Sequence, residues 1–277
     1  MATKKKKSPV RLTSWYGWHP DLPDHRDFIY QPKKKTAAQL PAKVDLRPGC
    51  PPVYNQGQLG SCTGNSIAGA VEFVVKKENA GKDFMPSRLF IYYNERVMEG
   101  TVNTDSGAEI RDGIKSINQL GVCPESIWKY SDNKTQFKKK PTAAAYAQAL
   151  KHKSISYQRV NRDIYDIKAC LADGYPFVFG FTVYESFESA AVAKTGVVNL
   201  PTASEQSIGG HAVLCVGYDD STGRVIVRNS WGNDWGMAGY FTMPYQYLLN
   251  QNLSDDFWTV RTIELSAAAL KRAKSKR

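Results

Sequence analysis

The sequence is poor in cysteine, and this limits the kinds of protein it can encode. Its 277 residues include five cysteines, too few for a disulfide-rich secreted scaffold, and the low count favours a reducing compartment. The odd number leaves at least one thiol unpaired. Cys50 and Cys123 lie beside prolines in predicted loops and could form a disulfide, which the sequence leaves open. Cys170 and Cys215 lie in a predicted helix and strand, as small core residues do.

Long apolar runs and internal repeats are also missing. No apolar stretch approaches the roughly 20 residues of a membrane span, so we expect none. The start of the chain, Met1–Lys7, is basic with no apolar stretch behind it, so it predicts no secretory signal and an intracellular, cytoplasmic location. With 42% hydrophobic and 12% aromatic residues, the chain can bury the core of one large domain or two lobes.

Acidic residues are outnumbered, which gives a formal net charge of +11. Much of the excess lies in four basic runs, Lys4–Lys7, Lys33–Lys35, Lys138–Lys140 and Lys271–Arg277. Such runs are usually solvated tails. They could also make nonspecific, salt-sensitive contacts with nucleic acid or an acidic surface, because no base-reading module is recognisable.

Cys62 follows a loop rich in glycine and serine and precedes an apolar run that predicts a helix. At a helix start, unpaired N–H groups and the positive end of the macrodipole favour thiolate over thiol and lower the cysteine pKa. Gln56, six residues earlier, offers an amide donor to the same reacting carbonyl. The segment therefore predicts an activated thiol with part of an oxyanion hole.

A base and an orienting group are predicted in the second half of the chain. His211 begins an apolar, β-branched run, and Asn229 ends the next strand-like run. The turn-forming residues 219–223 between the runs predict a hairpin, which brings the Asn229 carbonyl to the His211 ring. The other ring nitrogen can then pair with Cys62. Each residue alone has a simpler structural interpretation, but the ordered set with its glycine flanks favours catalysis.

The ordered set resembles the papain family of cysteine peptidases, the C1 or cathepsin-like family. It consists of Gln56, Cys62, His211, Asn229 and Trp231. Further matches are Val44–Arg47, similar to the start of the mature enzymes, and Gly121–Tyr130, similar to a bend of the family. The form around Cys62 resembles a divergent branch found in bacteria and large DNA viruses. A virion or host-cell compartment is then an alternative location.

The resemblance implies an α+β fold of two lobes with the active site in the cleft between them. The helical left lobe is expected over about residues 44–150 and the antiparallel, β-barrel-like right lobe over about 151–265. A basic segment 1–43 precedes them and a basic tail 266–277 follows. We expect a monomer that acts on a protein or peptide substrate and uses neither a metal ion nor a cofactor.

The resemblance also implies roles for the site residues. Cys62 attacks the peptide carbonyl, His211 moves the proton and Asn229 orients His211, while Trp231 shields their hydrogen bond. The Cys62 backbone N–H and the Gln56 amide hold the oxyanion. Endopeptidase activity is the expectation, since the paired-histidine insertion of one exopeptidase member is missing. The alternatives are acyl transfer to an amine, as in a transglutaminase-like enzyme, and a catalytically silent binding homologue.

Two substrate-binding regions are suggested by the resemblance. Ser106 and Gly107 resemble the glycine strand that pairs with substrate backbone, although Ser106 could equally be a helix N-cap. Asp255 and Asp256 come just before Phe257, where the family closes the pocket for the second residue before the cut. If Asp255 lines that pocket, Arg or Lys should be accepted there. The alternative is a solvated loop carboxylate.

The aromatic and proline-rich stretch Trp15–Asp27 has what a docked inhibitory segment requires. Residues 1–43 are too few for the long helical pro-domain of the papain branch, so the stretch predicts a short propeptide in the cleft or a structural strap on a lobe. Two departures from the family lie beside the nucleophile, with Leu59 in place of a cysteine and Thr63 in place of a tryptophan. They remove a disulfide and predict different packing behind the helix.

Overall fold

The computed structural model describes residues 16–33, 36–78 and 84–265. Trp15 and the basic runs Lys4–Lys7 and Lys271–Arg277 lie outside the described residues, as do Lys34 and Lys35. The helices are α1 Cys62–Glu78, α2 Arg88–Glu99, α3 Ile110–Gln119, α4 Ala143–Ala149, α5 Ile164–Ala172, α6 Ala190–Thr195 and α7 Tyr245–Leu249. The strands are β1 Trp18–His19, β2 Lys43–Asp45, β3 Ala108–Glu109, β4 His152–Arg159, β5 Phe177–Tyr184, β6 Ser207–Asp219, β7 Arg224–Arg228, β8 Tyr240–Pro244 and β9 Ser254–Leu265.

Three helices pack together in the first half of the chain. Every residue of α1 from Cys62 to Val75 is buried, as expected for a helix that is covered on all sides. Helix α2 begins where the Ser87 side chain accepts a hydrogen bond from the Phe90 N–H and ends at Gly100 with φ of 73°, a standard pair of end signals. The predicted helix after Cys62 is therefore present, and α2 and α3 pack beside it within the predicted helical lobe.

The strands of the second half form an antiparallel sheet in the order β4-β9-β5-β6-β7-β8. The predicted hairpin is present, since β6 pairs with β7 from Leu214↔Arg228 to Asp219↔Arg224. Strand β2 adds to this sheet by pairing Val44 with Tyr218. Residue 44 was expected at the start of the helical lobe. That placement is wrong for β2, because a β-strand takes its hydrogen bonds from the sheet edge it reaches.

Two apolar clusters explain how the lobes meet. Val71 and Val74 of α1 share one cluster with Leu214 and Val216 of β6 and with Trp258 of β9. A second cluster lies in the β lobe and is rich in phenylalanine, including Phe177, Phe179, Phe181 and Phe241. Because α1 is packed against the sheet, its first residue lies at the junction of the two lobes. The molecule has the α+β two-lobed fold that the sequence predicts.

All five cysteines lie in the described part of the chain and are free thiols. The open question of a Cys50–Cys123 disulfide is thereby answered, since neither residue is bridged and the Cys50 thiol lies 3.5 Å from the Leu46 carbonyl oxygen. Within the described ranges, no helix has the length and apolar character needed to cross a bilayer.

Candidate active site

Cys62 is the first residue of α1, as predicted. The loop before it is held by side chains of the helical lobe, since the Gly60 N–H donates to Asp105 at 3.1 Å and Ser61 Oγ lies 2.5 Å from the Tyr130 hydroxyl. From the β lobe, the Ala212 N–H donates to Cys62 Sγ at 3.3 Å. The thiol therefore lies where the two lobes touch.

His211 and Asn229 come together on the opposite wall of the cleft. His211 lies in β6, and Asn229 follows directly after β7. The pairing of these strands puts His211 Nε2 2.9 Å from Asn229 Oδ1, which also accepts the Ser230 N–H at 2.8 Å. Both side chains are buried. Since Ala212, the next residue after His211, contacts the thiol, the sheet brings all three predicted residues to one place.

Aromatic rings surround the imidazole. The Trp231 ring centroid lies 5.0 Å from that of His211, and Phe181 lies 5.8 Å away in an edge-on arrangement. Phe187 packs edge-on against Trp231 at 5.4 Å. These rings leave little room for water beside the His211–Asn229 hydrogen bond. Trp231 therefore lies where the sequence predicts a residue that shields this bond.

Gln56 is fully buried, and its amide is held at both ends. Its Oε1 accepts the Ser230 hydroxyl at 2.6 Å, and its Nε2 donates to the Leu59 carbonyl at 2.9 Å. Backbone contacts add to this, because the Gln56 N–H donates to Ser230 O at 2.8 Å. The amide is thus oriented between the nucleophile loop and the residue after Asn229.

Residues 16–19, called the cleft segment below, lie across the thiol. Strand β1 pairs in parallel with β3, Trp18 opposite Ala108, and the Ala108 N–H donates to Gly17 O at 2.7 Å. Tyr16 packs on the other side of the thiol, with ring centroids 5.8 Å from His211 and 6.1 Å from Trp231. Cys62 is consequently inaccessible to solvent.

Burial reverses the expected shift of the thiol pKa. It raises the pKa of Cys62 to about 11, while the backbone N–H groups of Ala212, Gly17 and Thr63 lower it by less. The position of Cys62 at a helix start, taken alone, predicted a lowered pKa. That expectation is wrong for the covered site, because desolvation disfavours the thiolate more than nearby N–H groups favour it.

The Ser106–Gly107 region lies beside the cleft segment and is no helix cap. Helix α3 begins after Glu109, which excludes Ser106 as its N-cap. Gly107 has φ of 79°, and a Cβ there would overlap the backbone of Gly17. The His19 ring hydrogen-bonds to Ser106 O. A backbone segment therefore already pairs with this region in the structure.

The Asp255 carboxyl is held by two arginines, and its role as the acid of a substrate pocket stays a prediction. Its carboxyl, 38% exposed, forms ion pairs with Arg162 at 2.7 Å and Arg159 at 3.1 Å. Asp256 is the residue that points inward. It is fully buried, and its Oδ2 accepts the Trp18 indole N–H at 3.0 Å and the Asp21 N–H at 2.8 Å. Both carboxyls accept from Arg159 Nη2, Asp255 at 3.1 Å and Asp256 at 3.0 Å. Asp256 has φ of 59°, so the regular alternation of strand side chains does not hold here.

Residues 20–30, called the strap below, continue from the cleft segment over both lobes. Asp27 accepts two hydrogen bonds from Arg111 of α3, the shorter at 2.7 Å. Asp21 accepts the Trp258 indole N–H at 2.9 Å. Further along, the Tyr30 N–H donates to Arg159 O at 2.8 Å. The N-terminal stretch thus contains both predicted features, a part that lies in the cleft and a part that lies on the lobes.

The departures beside the nucleophile have direct packing replacements. Leu59 is buried in an apolar cluster with Leu89, Ala108 and Phe137. The Thr63 hydroxyl donates to Glu95 Oε2 at 2.8 Å. The space behind the helix start is thus filled by an apolar cluster around Leu59 and by the buried Glu95 carboxyl.

Three residues at the site were not singled out in the sequence analysis. Ala212 contributes a backbone N–H, which carries no sequence signal. Glu188 accepts a hydrogen bond from the Tyr16 hydroxyl, and Asp21 contacts Asp256 through its N–H. A possible signal for Asp21 was its place inside the Trp15–Asp27 stretch. For Glu188, in the short 3-10 turn Glu185–Glu188, we find none.

Comparison with known proteins agrees with this geometry. The sequence profile described as papain family cysteine protease matches residues 40–254, more than half of the chain. An uncharacterized peptidase C1-like protein of Acanthamoeba polyphaga mimivirus is 45% identical over 272 residues, which cover 90% of this chain and 87% of that protein. A cathepsin B-like protein of Giardia intestinalis is 31% identical over 219 residues, 74% of this chain and 70% of that protein.

Solved structures give the same result. The crystal structure of xylellain, a cysteine protease from Xylella fastidiosa, matches with a TM-score of 0.85 at 49% identity, covering 93% of this chain and 99% of that chain. Procathepsin B S9 from Trypanosoma congolense matches with a TM-score of 0.73 at 18% identity, over 92% of this chain and 88% of that chain, which supports the fold alone. The resemblance to viral and bacterial relatives is confirmed. This chain belongs to the papain family and is a cysteine-type peptidase.

Proposed function

We propose that the protein is an endopeptidase that cleaves peptide bonds with a Cys62–His211–Asn229 triad. The observation that carries the proposal is the hydrogen bond of 2.9 Å between His211 Nε2 and Asn229 Oδ1, located beside a thiol at the start of a helix. With Nε2 held by the amide oxygen, Nδ1 is the ring nitrogen that serves the thiol. This is the nucleophile, base and orienting-group arrangement of acyl-transfer enzymes.

In the proposed reaction, Cys62 Sγ attacks the carbonyl carbon of the substrate while its proton passes to His211. The Cys62 N–H and the Gln56 amide donate to the developing oxyanion, supported by the contacts that orient Gln56 from both ends. His211 then protonates the leaving amine, and water hydrolyses the thioester. The Asn229 oxygen stabilises the imidazolium that forms in between, and Trp231 limits the access of water to that hydrogen bond.

The proposal includes self-inhibition by the cleft segment. The Gly17 N–H lies close enough to Cys62 to lower the pKa of its thiol, and the Gly17 carbonyl accepts the Ala108 N–H. An N–H offers the nucleophile no electrophilic carbon, so the segment covers the thiol without being a substrate. Raising the pKa of Cys62 to about 11 also suppresses the reactive thiolate at neutral pH.

Covalent labelling tests the mechanism. A peptidyl epoxide or vinyl sulfone should modify one thiol of the parent under reducing conditions and none in Cys62→Ala. Cys50→Ala, which removes a partly exposed thiol, is the matched control and should label as the parent does. Asn229→Ala should lose roughly 10²-fold in turnover and remain measurable, since misorientation of a catalytic group costs about that much.

Endopeptidase action has a separate readout. Peptides blocked at both ends should be cut internally, with the products identified by mass. Hydrolysis by Cys62→Ala at the parent's rate would remove Cys62 from the mechanism, and cleavage confined to free termini would make the enzyme an exopeptidase.

A further inference from the structure

A pocket for one side chain lies on the His211 side of the thiol. Tyr16 fills it, packed between the His211 ring at 5.8 Å and the Trp231 ring at 6.1 Å. Gly209 forms part of its wall, and a Cβ at that position would come within 2.7 Å of Tyr16 Cβ. Its φ of 149° is likewise one that favours glycine. Tyr16 is almost fully buried there although it belongs to an N-terminal segment.

The pocket lies on the leaving-group side of the cleft. Trp18, on the other side of Gly17, reaches β3 and Asp256, the region where the family binds residues before the cut. The Gly17 N–H, between Tyr16 and Trp18, lies close enough to Cys62 to lower the pKa of its thiol. Tyr16 is therefore on the far side of the reacting position, next to the imidazole that protonates the leaving amine. A substrate residue just after the scissile bond would occupy the same place.

The end of the pocket is polar. The Tyr16 hydroxyl donates a hydrogen bond to Glu188 Oε1. Glu188 is the last residue of the turn Glu185–Glu188, whose Phe187 is buried against Trp231 and Trp235 at ring-centroid distances of 5.4 and 5.6 Å. This packing anchors the turn, so the Glu188 carboxyl is held at a fixed depth beyond the aromatic wall.

From this arrangement we infer that Glu188 is a specificity-determining residue that selects tyrosine directly after the scissile bond. The inference rests on the proposed function. The aromatic wall accepts either a phenylalanine or a tyrosine ring, but only tyrosine has a hydroxyl to donate to Glu188. Glu188 is partly buried, so a charge-assisted hydrogen bond from a substrate hydroxyl keeps part of its strength there against competition from water.

The preference for tyrosine can be measured in the full chain from how the acyl-enzyme divides between transfer to an amine and hydrolysis by water. After a peptidyl ester has acylated Cys62, an added amino-acid amide competes with water. The amine nitrogen bonds to the acyl carbon, the C–S bond breaks, and the amine proton passes through His211 to Cys62 Sγ. The ratio of transfer to hydrolysis product does not depend on how many molecules have an open cleft.

Tyrosine amide and phenylalanine amide, which differ by one hydroxyl, are the probes. We expect transfer to tyrosine amide to exceed transfer to phenylalanine amide by about tenfold. In Glu188→Gln the preference should fall to about threefold or less, because the charge-assisted hydrogen bond is replaced by a neutral one. Glu185→Gln, an exposed acidic residue of the same turn, is the control and should keep the parent's preference.

Each outcome decides between the claims. Equal transfer to both amides in the parent overturns the inference and leaves the proposed function intact, provided that hydrolysis product forms. A preference that persists in Glu188→Gln also overturns it. If no acyl-enzyme forms on Cys62 in any variant, the proposed function fails and the inference fails with it.

Discussion

Replacing Trp18 with alanine should activate the full chain by at least tenfold. Trp18 is only 7% exposed, and its ring lies where Gly180 and Gly210 lack side chains, since a Cβ at Gly180 would overlap it. The indole N–H also donates to Asp256 at 3.0 Å. The ring is therefore a large apolar contact that holds the cleft segment on the β lobe.

The magnitude follows from the buried area. A buried tryptophan covers about 150–250 Å², which at roughly 25 cal/mol per Å² corresponds to about 4–6 kcal/mol as an upper estimate. If about 3 kcal/mol of docking free energy is lost, the docking equilibrium weakens by about 10²-fold. The increase in rate stops once every molecule is open, so a tenfold increase is the least that we expect.

The assay is the initial rate on a fluorogenic peptide amide, normalised to the amount of protein. Leu22→Ala is the matched control because Leu22 belongs to the same N-terminal stretch and is 76% exposed. Thermal unfolding of both variants verifies that they are folded. A point substitution is preferable to a chain that starts near Val44, because such a chain would lose the strap together with the cleft segment. The reasoning is refuted if Trp18→Ala is no faster than Leu22→Ala.

Two further predictions concern the strap and pH. Arg111→Ala should lower the free energy of unfolding by about 2–3 kcal/mol, since Asp27 loses its two charge-assisted hydrogen bonds and keeps Arg159 at 3.6 Å as its ion-pair partner. Lys115→Ala, 4.0 Å from Asp24 at the surface, should change it by less than about 1 kcal/mol. Equal denaturant midpoints for the two variants would contradict this. Burial, and after it the charge of Asp21, raises the pKa of Asp256 from its ordinary value of 3.8 to about 7. Release of the cleft segment should return this pKa towards 3.8. Docking then takes up a proton, so it is most favourable below about pH 4 and weakens by up to tenfold per pH unit towards pH 7. The other charged groups near Asp256 are Arg159, Asp255, Glu109 and Arg111. The alkylation rate of Cys62 should rise more steeply with pH in the parent than in Asp256→Asn. Parallel pH profiles of the two proteins would count against a role of Asp256 in docking.

Local sequence patterns are sufficient to identify much of the site. The hairpin is predictable because the turn residues 219–223 stand between two apolar runs, and hairpin pairing fixes which residues face each other. That pairing is what puts Asn229 beside His211. The start of α1 at Cys62 is predictable for a similar reason, since a glycine-rich loop gives way to an apolar run there.

Contacts between distant segments are not predictable in this way. Asp255 and Asp256 are indistinguishable as neighbouring acids in the sequence, and only their places on β9 decide which one meets Trp18 and which meets Arg162. Strand β2 joins the sheet because an edge of β6 is open to it. Nothing within residues 43–45 indicates that partner.

The sequence by itself determined which residues have the chemistry of a cysteine peptidase and how hairpin pairing brings two of them together, because these depend on residue type and on short-range order along the chain. The tertiary structure decided the state of the site. It laid the cleft segment over Cys62 and raised the pKa of Cys62 to about 11. It also placed Glu188 at the end of the Tyr16 pocket. Burial and electrostatic environment arise from every segment that packs around a group, and most of those segments are distant in sequence.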